Sequence, residues 1–523
     1  MRVHAACLVG LGLVGLLACN AEQGNTLHEP QPTGAPVPVN VFSRMFPELP
    51  PFAPPTDEAR EQAKQLGLQG GLLDALDGQS RQNNPDNPTM TEGVTFFGQF
   101  LDHDLTLASK APLLAQTDPR RTTNVRTAAF DLDSVYGGGP DGSSELYETD
   151  SGDIKFRIEA IPGSEQVSKK GAVRFDLPRD PKNNAIIPDS RNDENVVISQ
   201  FHLAMLRFHN AVVDRLRSDP ARAQRSARDI FEEARRQVQW HYQWIILHEY
   251  LPLTIGQDRV DEIMQNGPRF YRPLDQTQDA RFRNAKGDLL IPVEFAAAAF
   301  RFGHSQVRPS YQLNFGPDAG PPVILPIFDD SADPNDLDPN DMRGGKRAPR
   351  RFIDWQTFFK FNPDISAPNK KIDTKLSSPL MLLPGSRGPA PGMPSDGIQS
   401  LASRNLMRHV NFGVPSGQAI AQIMGIQALT AGQLAELAPF GMDRSAPLWY
   451  YILKEAEVLE NGLRLGPVGS RIVGEVFIGL LKADMDSYLV VDKNWKPTLP
   501  SANSGTFEIT DLLKLAGVVH PLN

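Results

Sequence analysis

Residues 96–106 read Phe-Phe-Gly-Gln-Phe-Leu-Asp-His-Asp-Leu-Thr, and this run constrains the fold more than any other. Its aromatic and aliphatic side chains call for burial, yet Gln99, Asp102, His103 and Asp104 sit among them, and each costs several kcal/mol in an apolar interior unless it finds a partner. On a helix, residues three and four apart share a face. Gln99, Asp102 and His103 therefore form one polar stripe, while Asp104 points about 100° further round. The apolar neighbours occupy the remaining directions, so the helix is expected to be buried on most sides, with partners supplied from elsewhere. A buried His flanked by carboxylates is a candidate proton-transfer group, because its ordinary pKa lies near neutrality.

Similar helical spacing recurs over 58–66, 93–107, 194–217, 221–251, 294–307, 417–424, 447–459 and 466–483. Strand-like alternation is confined to 289–291 and 323–325, while 308–350 and 361–400 are long irregular stretches rich in Pro, Asp, Asn and Gly. The fold class expected is mainly α: one large helical domain over 41–523, with long loops and little β. No internal repeat or composition break divides it. A chain of 523 residues, 40% hydrophobic, can bury a sizeable core. The net charge of -9 excludes nucleic acid as the expected partner. The short clusters Lys346-Arg347 and Arg350-Arg351 read as solvated surface.

Upstream, Met1-Arg2 precedes an apolar stretch from Ala5 to Ala18, too short to span a bilayer and of the right length for an export signal. Leu16-Leu17-Ala18-Cys19 resembles a bacterial lipobox, so residues 1–18 are expected to be a lipoprotein signal with Cys19 lipidated. The Pro-rich 20–40 stretch then acts as a linker. Asn20 favours the outer membrane on that resemblance, with a simple secretory signal as the alternative and the lipid as the only membrane contact. The cysteines are Cys7 and Cys19, so the exported chain is expected to lack disulfides.

A second polar motif lies at 124–139, Asn-Val-Arg-Thr-Ala-Ala-Phe-Asp-Leu-Asp-Ser-Val-Tyr-Gly-Gly-Gly. Asp131 and Asp133 alternate along a short loop after Thr127, which is how protein oxygens cage calcium, and Asp104 would add a carboxylate from the helix. Together, the two motifs resemble the animal haem peroxidase family, the peroxidase-cyclooxygenase superfamily, in its bacterial branch. The chain carries the family's further motifs in order. Arg191-Asn192-Asp193-Glu194 leads into Phe-His-Leu-Ala-Met-Leu-Arg-Phe-His-Asn, Arg301-Phe302-Gly303-His304 follows, and Arg404-Asn405-Leu406-Met407-Arg408 comes last.

The resemblance implies haem b held by His304 as axial iron ligand, with Asn405 accepting the ring N–H and Arg408 near a propionate. It also places Arg301 on the cofactor-binding side. His103 would be the distal acid/base, Gln99 its neighbour and Arg191 the cation beside the peroxide, while Asp102 and Glu194 match carboxylates that form ester links to haem. Asp104, Thr127, the Ala129 carbonyl, Asp131 and Asp133 match a calcium site. Asn195 stands where one mammalian member has a Met that bonds haem, which limits the links to two.

The implied activity is reduction of hydrogen peroxide with oxidation of small organic donors or halides. Two alternatives stand beside it: a fatty-acid or polymer dioxygenase of the same superfamily, and a non-catalytic haem-binding or adhesion protein. Arg301 in place of a radical-forming Tyr argues against cyclooxygenase chemistry. The pairs His202/His209 and His241/His248 share helical faces at a spacing of seven but have no third ligand at zinc spacing, and they read as structural. Trp240 and Trp244 read as core.

Overall fold

The Gly93–Leu105 helix carries the opening motif, and the rest of the architecture is arranged around it. The computed structural model describes residues 40–77, 84–109, 113–152, 154–222, 224–275, 280–329, 333, 335–383 and 397–522. The expected signal and Cys19, together with the linker before Asn40, lie outside the described residues. Among the described residues no helix is long and apolar enough to cross a membrane.

The fold is mainly α. The Val196–Ser218 helix, 23 residues long, crosses the Gly93–Leu105 helix, and Phe201 packs between Phe97 and Phe100 at ring separations of 5.6 and 4.9 Å. Each such ring, removed from water, contributes roughly 1.5–3 kcal/mol. The Asn195 side chain caps this helix by accepting from the Ile198 backbone N–H at 3.0 Å, which fixes where it begins. Gly98 is required on the facing surface, because a Cβ there would stand 2.6 Å from Tyr250 Oη.

Two stretches depart from the periodicity reading, and helices form where it placed none. The 294–307 segment is expected to be one α-helix, but a π turn over Glu294–Ala298 runs into a 3-10 helix over Ala299–Gln306. Two outside donors account for the broken ladder: His409 Nε2 bonds the Ala297 carbonyl at 3.0 Å and Trp449 Nε1 bonds the Arg301 carbonyl at 3.1 Å. The 221–251 helix begins later, at Ala227, and passes through a π turn over Ile246–Tyr250. Helices also form at Leu401–Phe412, Gln257–Asn266 and Ile509–Leu515.

Short strands stand inside stretches read as irregular. Ser310–Asn314 pairs antiparallel with Val323–Pro326, and Asp86–Thr91 with Pro368–Lys370. The 289–291 candidate forms only an isolated bridge between Arg283 and Leu289. The long loops are pinned by cations that enter the interior. Arg308, fully buried, donates to the Asn84, Pro368 and Asn369 carbonyls, 2.9 to 3.0 Å away, and pairs with Asp86. Lys346 and Arg351, expected on the surface, are likewise buried, at 6% and 3% exposure. Arg351 donates to the Pro339, Asp341 and Arg343 carbonyls, so loop backbone takes the place of solvent around its charge.

Candidate active site

His103 is fully buried, and its Nδ1 lies 2.8 Å from Asn192 Oδ1. An amide oxygen only accepts, so the ring proton sits on Nδ1 and Nε2 carries the lone pair. Nε2 makes no hydrogen bond, and the nearest carboxylate oxygen, Glu194 Oε1, is 3.7 Å away. Burial first, and then the Arg191 charge, push the imidazolium pKa down to about 3, so the ring is a neutral base near neutrality.

The neighbours of His103 are held in turn. Gln99 Nε2 donates to Glu194 Oε1, and Gln99 Oε1 accepts from Asn195 Nδ2 at 3.4 Å. Thr106 Oγ1 donates to Asp102 Oδ1 at 2.9 Å, while burial raises the Asp102 pKa against the pull of Arg191. The Arg191 guanidinium is gripped by Asp189 at 3.0 Å from Nε and 2.7 Å from Nη2, and the same Nη2 donates to the His103 carbonyl at 3.1 Å. Burial works against ionisation of Asp189, but Arg191 holds its carboxyl below the usual carboxylate range.

Gln99 and Asp102 line a cavity of about 430 Å³ whose other wall carries Arg301 and His304. Arg191 lines a neighbouring cavity of about 380 Å³, and Arg301 stands on the walls of both. His304 Nδ1 is 2.6 Å from Asn405 Nδ2, and Asn405 Oδ1 accepts from Arg301 Nη1 at 3.0 Å. This corrects the expected polarity, in which the Asn405 oxygen faces the ring. A guanidinium only donates, so Arg301 claims the oxygen and turns the amide nitrogen toward His304. Arg408, also buried, lies three residues beyond Asn405 on the same helix.

On the opposite side of the Gly93–Leu105 helix, carboxylate oxygens of Asp104, Asp131 and Asp133 lie within 4.8 Å of one another. Thr127 Oγ1 is 2.9 Å from both Asp131 oxygens, and Asp104 accepts from Leu132 N, Ser134 Oγ and Tyr242 Oη at 3.1 to 3.2 Å. Burial and mutual repulsion raise the Asp104 pKa, and raise that of Asp131 to about 7. Ala129, partly buried, sits in the same loop.

Asn192, Asp189, Arg126 and Tyr250 escaped the sequence reading. The Asp189-x-Arg191 spacing was the available signal for Asp189, whereas Tyr250, on the wall of the larger cavity, gave none. The histidines of the two pairs spaced by seven scatter. His202 is buried with neither ring nitrogen bonded, and His209 bonds Tyr136 Oη and the Ile154 carbonyl. His241 Nε2 accepts from the Thr498 and Leu499 amides, and His248 stacks on Trp244, the buried member of the tryptophan pair, at 3.8 Å.

The family model described as animal haem peroxidase matches residues 109–320, the span that holds the acidic loop, Arg191, Glu194 and His304. Over that span the chain is similar to animal haem peroxidases. Similar sequences include thyroid peroxidase of Canis lupus familiaris, 24% identical over 71% of this chain and 38% of its own length. Chorion peroxidase of Aedes aegypti is 24% identical over 75% of this chain and 46% of its own. The chain thus spans less than half the length of these curated relatives.

Among solved structures, the chain shares its fold with peroxidase A from Dictyostelium discoideum. The TM-score is 0.59 at 17% identity, over 91% of this chain and 93% of the other. Oryza sativa fatty acid alpha-dioxygenase has a TM-score of 0.56 at 13% identity, over 92% and 79%. The family implies haem, and the residues present fit it. His304, with its Nδ1 against the Asn405 amide, lines the same cavity as Gln99 and Asp102 of the His103 helix.

Proposed function

We propose that this chain is a haem-dependent peroxidase that reduces hydrogen peroxide and oxidises small organic donors or halides. The observation that carries the reading is the pinned tautomer of His103, with a bare, unprotonated Nε2 and a clamped cation bonded to the same residue's carbonyl. His103 would take a proton from peroxide at Nε2 and return it to the departing oxygen, a role worth 10²–10⁴-fold in rate for a positioned base. Arg191 would stabilise the charge that develops as the O–O bond breaks, already oriented by Asp189. Haem, when bound, supplies the redox centre that takes electrons from the donors and passes them to peroxide.

His304 is the axial ligand in this reading. Ligation through Nε2 needs the proton on Nδ1, so the Asn405 amide must turn its oxygen to the ring and Arg301 must release it. Asp102 and Glu194 would form the ester links, and Asp104, Thr127, Ala129, Asp131 and Asp133 the calcium site. Their donors are all oxygen and include three carboxylates in contact range, which suits a hard divalent ion. Export with a lipid on Cys19 completes the proposal.

The test is the absorption spectrum of the purified protein before and after peroxide, followed by phenol or bromide oxidation. A Soret band that peroxide shifts is expected, and its absence after expression with haem would overturn the reading. Haem that stays with the denatured polypeptide on a gel would support the ester links. The dioxygenase alternative would be favoured by oxidation of a fatty acid with oxygen and no peroxide.

A further inference from the structure

Arg126 was absorbed by neither the acid/base site nor the acidic loop, yet it stands between them. Its Nη1 donates to Asp133 Oδ1 at 3.2 Å, and its Nε is 3.5 Å from Asp189 Oδ2. The side chain is only 10% exposed, and Asp189 is nearly fully buried, at 1%. The same Asp189 Oδ2 accepts from Arg191 Nη2 at 2.7 Å, so one carboxylate oxygen faces both guanidinium groups. A continuous chain of opposite charges therefore runs from the acidic loop through Asp133, Arg126 and Asp189 to Arg191, and ends on the His103 carbonyl.

We propose that Arg126 is a built-in rival of the divalent cation at the acidic loop and, through Asp189, ties the loop's occupancy to the placement of Arg191. This inference rests on the calcium reading given above. Three carboxylates converge in the loop, and Arg126 already pairs with one of them, Asp133, so an arriving cation shares that carboxylate with a guanidinium and meets its repulsion. As the cation draws Asp133 to itself, Arg126 is left with Asp189 as its remaining carboxylate partner. Asp189 then divides its charge differently between Arg126 and Arg191. Coupling of this kind is reciprocal, so a ligand that engages Arg191 changes cation affinity by the same factor as the cation changes the ligand's. A purely structural Arg126 would only neutralise the two carboxylates, and its removal would weaken the loop.

Calorimetric titration of chelator-treated holoprotein with calcium chloride separates these outcomes, using wild type, Arg126→Gln and Arg126→Lys. The rival role predicts about ten-fold tighter calcium binding for Arg126→Gln. Arg126→Lys, which keeps the charge, should stay close to wild type. The second readout is the dissociation constant of cyanide on the ferric protein, with and without calcium: it should shift in wild type and cease to shift in Arg126→Gln. Equal or weaker calcium binding by Arg126→Gln, or a cyanide shift that survives in it, overturns this proposal alone. No calcium binding by any of the three proteins overturns the calcium reading, and this proposal with it.

Discussion

The two sides of the cavity are built on different principles. On the His103 side two of the ring's neighbours are each held more than once: Gln99 bonds Glu194 and Asn195, and Arg191 bonds both oxygens of Asp189 and a helix carbonyl. On the His304 side an amide contacts the ring and a guanidinium holds that amide by its oxygen, on a segment that passes from π to 3-10 winding. The contrast teaches that the His103 side is fixed by side-chain pairs, whereas the His304 ring meets an amide whose oxygen is held by Arg301, itself bonded to the Ala296 carbonyl at 2.9 Å. A base and a cation lose catalytic value with small displacements, while a ligand that must change tautomer on binding needs a partner that can reverse its polarity.

The largest effect expected is from His304→Ala, which should prevent haem incorporation, and with it the ester links and the Soret band, while circular dichroism keeps the helical signal. His103→Leu should keep the band and slow the reaction with peroxide by roughly 10²–10⁴-fold in stopped flow. If it too lost haem, the division of labour between the sides would be gone. Arg191→Gln comes next, with a fall of about 10²–10³-fold in the same rate constant and no change in haem content. A fall no larger than threefold would mean that the clamp built by Asp189 serves packing instead.

Asp131→Asn should remove the calcium-dependent rise in melting temperature, on the order of 5 °C, that differential scanning calorimetry would record for wild type. An undiminished rise in the variant would place the ion elsewhere.

The smallest effect concerns His202, the buried ring without a hydrogen bond, whose pKa burial pushes down to about 3. The unfolded chain binds a proton there below about 6.5 and the folded one does not, so this group's contribution is complete above that pH and is lost as pH falls toward 3. His202→Leu should therefore gain on wild type by about 1.4 kcal/mol for each pH unit below 6.5, measured by urea denaturation at pH 5 and 7. A gain independent of pH would show that the ring is not held neutral.

Much of the site was legible because local spacing says which side chains share a face. The three-four pattern of Gln99, Asp102 and His103 called for partners, and the structure supplies those of Gln99 and His103 from residues 189–195, far along the chain, while Asp102 pairs locally with Thr106. The acidic loop was readable for the same reason, since its carboxylates alternate over a few residues and Asp104 comes from the neighbouring helix. What spacing cannot reveal is which donor meets which acceptor across long separations. The Leu401–Phe412 helix was not predicted, and the amide polarity of Asn405 follows from Arg301, 104 residues away in sequence. Lys346 and Arg351 looked like surface charge until loop carbonyls were found around Arg351.

The sequence by itself thus determined a mainly helical body, a buried polar helix and the order of the motifs that meet around the cavity, because periodicity and residue type are local properties of the chain. Only the tertiary structure decided the winding of 294–306, the direction of the Asn405 amide and the position of Arg126 between two carboxylates. Each depends on hydrogen-bond partners brought together by chain crossings, and a buried donor takes whichever acceptor those crossings place within about 3 Å.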